Sequence, residues 1–312
     1  MSFAAAMLIG LVLDVVVGWP DALFRRIGHP VTWMGSLITL GERVLNRGDA
    51  ARRRANGVTL VIVVVGLVVA VTGALAALVP SGWFGVVITG LLAWPFVAAR
   101  ALQSHVAAVA APLVAGDLDG ARAAVAMVVG RSPDTMDGAA IARAGLESLA
   151  ENTSDGVVAP LFWGAIFGLP GIAGYKAINT LDSMIGYRNA RYENFGWAAA
   201  RLDDGINLLP ARLTGGLIAL AATGARRVAF RTMMRDARRH RSPNAGWPEA
   251  AMAGALAVRL SGPRVYDDVA TDDPWLNAVA GDPRPEDMKR GLRLFRRAVL
   301  LSAFGLAALA LI

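Results

Sequence analysis

The order of apolar and polar positions divides the chain into long uncharged runs and Arg-rich stretches. Residues 3–17 are apolar apart from Asp14. Residues 58–79 carry no charge, and at ~1.5 Å per residue a helix over them reaches ~33 Å, enough to cross a bilayer core of ~30 Å. Residues 83–99 form a third run, which Trp94-Pro95 is expected to kink. Residues 157–175 are apolar but interrupted at Gly168-Leu169-Pro170-Gly171, and 206–224 are interrupted by Pro210 and Arg212. A further run covers 292–312. The pattern predicts an all-α, polytopic integral membrane protein with spans near 3–17, 58–79, 83–99 and 292–312. It predicts helix-broken or re-entrant segments at 157–175 and 206–224. With no internal repeat and no long linker, it predicts a single membrane domain over 1–312, with large helical insertions at 18–57, 100–156 and 225–291.

Charge orients this arrangement. Arg25, Arg26, Arg43, Arg47 and the run Arg52 to Arg54 fill the stretch after the first span. The positive-inside rule places that stretch, and with it 100–156 and 225–291, in the cytoplasm. If 157–175 crossed and 206–224 did not, the densest Arg region would lie outside, against that rule. Both therefore cross or neither does. Broken segments at membrane depth line cavities, so the reading taken is a pair of hairpins that leave the flanking polar clusters on the cytoplasmic side. The first run reads as an uncleaved span, since no Lys or Arg precedes it and Asp14 interrupts it. Composition agrees: 55% hydrophobic residues and a mean hydropathy of +0.48 exceed what an ordinary soluble domain carries. The net charge of +7 is almost all Arg placed beside apolar runs, with no aromatic-interleaved basic motif, which argues against nucleic acid. The absence of Cys excludes disulfides, zinc-thiolate sites and thiol nucleophiles.

Four polar clusters stand out against the apolar pattern. In Arg143 to Asp155 (RAGLESLAENTSD), Glu147, Glu151 and Asp155 are four apart, which on a helix stacks them with Arg143 on one face. Such a stripe is either a solvated acidic face or a cation site, served by the Arg or by a hard metal ion with Asn152, Thr153 and Ser154 adding neutral oxygens. Lys176, Asn179, Asp182 and Ser183 share a helix face by three- and four-residue steps, and Lys176 is the only Lys before Lys289. Lys176 reads as a point charge for phosphate or as a snorkelling interface residue; Arg188, Asn189, Arg191 and Tyr192 follow it. Arg201, Asp203, Asp204 and Asn207 form a second cation site or a helix cap. Asn244 to Glu249 leads into an Ala-rich helix whose Pro248 and Gly246 preorganise an anion-friendly start. His29, held extended by Pro30, is either a phosphate or proton ligand or a capped loop residue, and Asp14 is a functional carboxylate or a boundary residue. The chain has no GxxxxGK[ST] loop, no GxGxxG fingerprint and no Gly-x-Ser-x-Gly elbow. The remaining inventory of Asp, Glu, Asn, one Lys and many Arg suits Mg²⁺ with a polyphosphate, where catalysis is positioning and charge neutralisation.

These residues carry a resemblance. HPVTWMG at 29–35, GRSPD at 130–134, ESLAENTSDGVVAPLFW at 147–163, YKAINTLDSMIGYRN at 175–189, FGWAAARLDD at 195–204, PAR at 210–212 and RSPNAGWPEAAMAGAL at 241–256 resemble, in order, the cobinamide-phosphate synthase family of cobalamin biosynthesis. Where that family often carries Gly-Asp-Pro after the first span, this chain has Gly18-Trp19-Pro20-Asp21. The resemblance implies an ATP- and Mg²⁺-dependent ligation at the inner membrane, joining a carboxylate of adenosylcobyric acid to aminopropanol phosphate or a related amino alcohol. On this basis Glu147, Glu151, Lys176 and Asp182 are expected to carry catalysis, with Glu147, Glu151, Asp155 and Asp182 as metal ligands. His29, Asn152, Ser154, Asn179, Ser183, Arg188, Asn189, Asn244 and Glu249 are expected to bind substrate or phosphate, and Asp14, Asp203, Asp204 and Asn207 are further candidates. Other membrane-associated enzymes of the pathway are conceivable partners beside the lipid bilayer. The competing readings are a transporter or corrinoid-binding membrane module without ligase activity, and a scaffold for pathway enzymes.

Overall fold

The fold comes from a computed structural model that describes residues 2–127, 135–266 and 269–312. The GRSPD block at 130–134 lies outside the described residues. In chain order the helices are α1 (Phe3–Val16), α2 (Asp21–Ile27), α3 (Pro30–Leu45), α4 (Ala50–Leu78), α5 (Trp83–Ala93), α6 (Ala99–Ala115), α7 (Leu118–Ala126), α8 (Gly138–Thr153), α9 (Ala159–Ile185), α10 (Trp197–Ile206), α11 (Leu208–Ala221), α12 (Arg226–Asp236), α13 (Gly246–Leu256) and α14 (Pro285–Ala310). Among the described residues the only strands are four of two or three residues, paired antiparallel as Leu260–Ser261 with Trp275–Leu276 and Arg264–Tyr266 with Val269–Thr271. The protein is all-α, and three helical stretches, Ala50–Leu78, Trp83–Ala115 and Gly138–Ile185, are long and apolar enough to cross a membrane. A fourth is available if Phe3–Val16 and Asp21–Leu45, bent by 111°, count as one broken span. Residues 292–312 belong to α14, which is not among these: Arg293, Arg296 and Arg297 leave its apolar part too short.

The described chain divides into two compact units of interleaved sequence, one comprising Met1–Ala98, Ala159–Asn207 and Ala303–Ile312, the other Ala99–Val158 and Leu208–Ser302. This interleaving explains why no linker is visible in the sequence.

In the first unit α4 begins earlier than the charge-free run. Asp49 accepts the Arg52 N–H at 2.8 Å, so Arg52 to Arg54 extend the helix rather than sit in a loop. The expected kink is present, as α5 yields to a single tight turn at Trp94–Phe96 and then an extended Val97. The break in 157–175 is sharper than a kink. Gly168 has φ 65° and ψ −146°, and a Cβ placed on Gly164 would lie 3.1 Å from Ile172 Cβ. Residues eight apart in a straight helix are ~12 Å apart, so α9 folds back as a helical hairpin whose tip holds Gly168 and Pro170.

In the second unit α11 corrects the other expected break. It runs unbroken from Leu208 to Ala221, with Pro210 in the first turn, where no backbone donor is needed. At ~1.5 Å per residue it reaches ~21 Å, short of a bilayer core. Helix α13 is buried from Gly246 to Gly254, the expected helix after the Asn244 loop.

Candidate functional site

The sequence-predicted residues fall into two polar clusters, one in each unit. In the first unit α9 and α10 build a connected network. Lys176 Nζ donates to Asn179 Oδ1 at 3.0 Å, Tyr175 Oη donates to Asn207 Oδ1 at 3.0 Å, and Asn207 Nδ2 donates to Asp203 Oδ2 at 3.0 Å. Tyr175 and Asn207 are 3% and 1% exposed, so these are interior bonds. The three- and four-residue steps of α9 place Tyr175, Asn179 and Asp182 along one side of the helix. Asp203 and Asp204 occupy the last turn of α10, the negative end of the helix dipole, which disfavours carboxylates. They are therefore not caps, contrary to one reading of the sequence. Asp204 pairs with Arg201 at 3.4 Å. Burial, and then the negative charge of Asp182, push the Asp203 carboxyl up to about 7, while the amides of Asn207 and Asn179 offset part of that rise. Asp182, half-buried on α9, feels the negative charge of Asp204.

Other residues of this unit have structural duties. His29 caps α3: its Nδ1 accepts the Val31 N–H at 3.2 Å, while Thr32 reciprocates on the His29 N–H. Its ring meets Trp19 edge-on at 4.8 Å and feels the Lys176 charge. Asn189 Oδ1 accepts the N–H groups of Arg191 and Tyr192, and Arg191 forks onto Glu42 at 3.0 Å through two nitrogens. Arg188 is exposed. Ser183 is exposed and donates to its own helix at Asn179 O, so it does not line the network. Asp14 is 4% exposed within α1. An apolar cavity of about 590 Å³ lies in this unit, walled by Trp19, Trp33, Met34, Val68, Trp94 and Phe96. Trp19 thus touches His29 and lines the cavity, as Pro30 does.

In the second unit Glu147 is 6% exposed, and its Oε1 accepts the Ser261 N–H at 2.6 Å. Ser261 itself adopts φ 61°, a conformation seldom taken by a non-glycine residue. Glu249 and Asn244 are 2% and 7% exposed. Glu249 Oε2 is 3.8 Å from His240 Nε2, and His240 Nδ1 accepts the Ser242 N–H at 3.1 Å, which puts the imidazole proton on the nitrogen facing Glu249. Ser154 is buried with its hydroxyl unbonded, whereas Asn152 is exposed and donates to Ser148.

The stripe expected over 143–155 keeps Glu147 and Glu151 on one helix but loses its register after them. Helix α8 stops at Thr153, and Ser154–Val158 form a wider π-turn, which takes Asp155 off the α-helical register of Glu147 and Glu151. Arg143 pairs instead with Asp282 at 2.7 Å and lies over the Trp275 ring, as Arg259 does. Glu151 is exposed. Among the described residues no group of three or more His, Cys, Asp or Glu side chains is placed to hold a metal ion. Of the four expected metal ligands, Glu147, Glu151 and Asp155 lie in the second unit and Asp182 in the first.

Sequence reasoning passed over Tyr175 and His240. Tyr175 was within reach, since it stands four residues before Asn179; His240 carried no local signal.

A helical membrane protein with two buried polar clusters is the class that fold and site define. The chain belongs to the CobD/Cbib protein family, which matches residues 7–295. Cobalamin biosynthesis protein CobD of Rhodobacter capsulatus is 62% identical over 299 residues, 96% of this chain and 95% of that protein. The proteins of the same name from Rhizobium meliloti and Brucella suis are each 44% identical, over 98% and 92% of this chain and 96% and 90% of their own length. No solved structure matches.

Proposed function

We propose that the protein is an adenosylcobinamide-phosphate synthase, joining adenosylcobyric acid to an amino-alcohol phosphate with consumption of ATP. The observation that carries this reading is the Lys176–Asn179–Asp203–Asn207–Tyr175 network. It holds a half-buried cationic and a half-buried anionic group in one hydrogen-bonded set within a chain of a family of cobalamin biosynthesis proteins. A carboxylate and an amine do not condense unaided near neutrality. The carboxylate oxygen takes the terminal phosphoryl group of ATP, and ADP leaves. The amine nitrogen then attacks the acyl carbon, a C–N bond forms, the C–O bond breaks, and phosphate departs with loss of an amine proton. Lys176 supplies a point charge for a phosphate. The apolar cavity beyond Trp19 offers surface to the organic ring of the acid. Any Mg²⁺ arrives on the nucleotide phosphates, and no step is assigned to protein-built metal ligands.

The network is expected to face the cytoplasm. A single Cys introduced at Asn189 is then labelled only by a reagent that reaches that side, and labelling from outside overturns the orientation. The activity test uses purified protein in nanodiscs with adenosylcobyric acid, aminopropanol phosphate and ATP, read by mass spectrometry of the corrinoid. Amide product that requires all three substrates, and is lost in a folded Lys176→Gln variant, supports the reading. Substrate flux across vesicles without product favours a transporter and sinks the ligase.

A further inference from the structure

In the second unit the turn between α11 and α12 concentrates positive charge without acids. Arg226, Arg227 and Arg231 are exposed on α12, and the sequence has no Asp or Glu between Asp204 and Asp236. Arg226 gives Nε to the Leu220 carbonyl at 2.9 Å, and none of the three pairs with a carboxylate among the described residues. Arg227 and Arg231 are four apart, a like-charge step that costs helix stability. Arg226 and Arg227 occupy the first turn, where the helix dipole disfavours cations. Arg297 of α14 joins them, its Nη1 donating to Thr223 Oγ1 in the same turn at 2.7 Å. The three α12 arginines rim a cavity of about 550 Å³ with an apolar floor of Ala219, Leu220 and Phe230.

The same turn lies where α14 changes character. Residues 298–312 carry no charge and Leu300 is exposed, so α14 passes from Arg-rich to apolar directly after Arg297. An Arg at such a boundary in a membrane protein sits at headgroup level, and its bond to Thr223 holds the α11–α12 turn at that level too. By three- and four-residue steps the exposed face of α12 sets Phe230 and Met234 beside Arg227 and Arg231. Apolar side chains interleaved with arginines on one exposed face suit an amphiphile. We infer that this surface seats an anionic phospholipid of the bilayer, its phosphate against Arg227 and Arg231 and an acyl chain along the apolar floor. The planar fork of a guanidinium matches phosphate oxygens. Apart from the arginines, the cavity wall has no hydrogen-bonding side chain to hold the base or ribose of a nucleotide. The surface lies in the other unit from the Lys176 network and stands whether or not the chain is a ligase.

The test uses the full chain, which has no Cys of its own, in nanodiscs of equal parts phosphatidylcholine and phosphatidylglycerol. Met234→Cys carries a fluorophore, and the acyl chains of one lipid or the other carry bromine as quencher. Leu78→Cys, at the exposed end of α4, is the reference position. At Met234→Cys the phosphatidylglycerol is expected to be preferred about twentyfold, from about fivefold for each of Arg227 and Arg231 near an anionic headgroup. At Leu78→Cys the two lipids are expected to quench alike. Arg227→Gln and Arg231→Gln, each placed in the Met234→Cys chain, are expected to lower the preference about fivefold, and Arg231→Lys to keep most of it. Equal quenching by the two lipids at Met234→Cys, the same preference at both positions, or a preference that both Gln variants keep overturns the inference. Relief of the quenching by inorganic phosphate or by ATP also overturns it, since the arginines would then serve a soluble anion. The lipid comparison at the two Cys positions decides even if a Gln variant fails to fold.

Discussion

Asp203→Asn should make the protein more heat-stable in base and inactive at any pH. The variant keeps an oxygen to accept from Asn207 Nδ2 and removes only the ionisation. The Asp203 carboxyl sits at about 7 against an ordinary 3.8. A raised folded value means that the stabilising proton is fully bound in both states below about pH 4. That contribution to stability is then lost progressively as pH rises, until about pH 7. Relative to the permanently neutral Asn, wild type should therefore lose about 3 kcal/mol between pH 5 and pH 8.5, taking ~1.4 kcal/mol per pH unit over the two units up to about 7. Sharing of the proton with Asp182 and residual solvent screening reduce this to about 1–2 kcal/mol. In a protein of this size that is a gain of a few degrees. Differential scanning fluorimetry in one detergent at both pH values checks it. An advantage of the variant that is equal at the two pH values, or that shrinks at pH 8.5, would refute the reasoning.

Three other perturbations test the frame around the site. A Cβ on Gly57 of α4 would collide with the Phe195 carbonyl, so Gly57→Ala should cost about 1–3 kcal/mol and lower the melting temperature, whereas Gly66→Ala, with open space around it, should not. Glu147→Ala leaves the buried Ser261 N–H without its acceptor and should cost about 1–3 kcal/mol, most of which Glu147→Gln restores; equal stability of the two variants would show that this bond is dispensable. Arg259 and Arg143 hold the Asp282 carboxyl below its ordinary value, a contribution to stability that is present above about pH 4 and lost as pH falls through the folded value. Asp282→Asn should therefore lower the melting temperature at pH 7 and flatten its decline in acid.

What could be read from the chain was whatever neighbours in sequence determine. The span at 58–79 follows from the absence of charge, and the turn at Trp94-Pro95 from the missing proline donor. The reversal at Gly168 follows because a φ of 65° is cheap only for glycine. The bond from Asn207 to Asp203 follows from a four-residue step on a helix. Pro210 misled because proline breaks a helix interior but fits its first turn, and the position of that turn depends on where α10 ends. The acidic stripe misled for a different reason. Its α-helical register required the helix to continue past Thr153, and its cation was assumed to be local, while Arg143 takes a carboxylate 139 residues away.

That contrast bears on which acids are functional. Glu147 looked catalytic because it stands four residues before Glu151 in a block that resembles the family, yet the fold gives it a backbone donor, which accounts for its burial without any ligand. Asp182 and Asp203 have the opposite history. Asp203 looked like a cap, but it lies at the wrong end of its helix for one, and the fold sets Asp182 against it without a cation. A structural carboxylate is placed where the protein itself satisfies it. Two carboxylates set against each other, one of them at the negative end of a helix dipole, instead hold a proton up to near neutrality. On that ground the weight of the active-site assignment moves from the 147–155 helix to the pair formed by α9 and α10. It would move back if Asp182→Asn left amide synthesis intact while Glu147→Gln, still folded, abolished it.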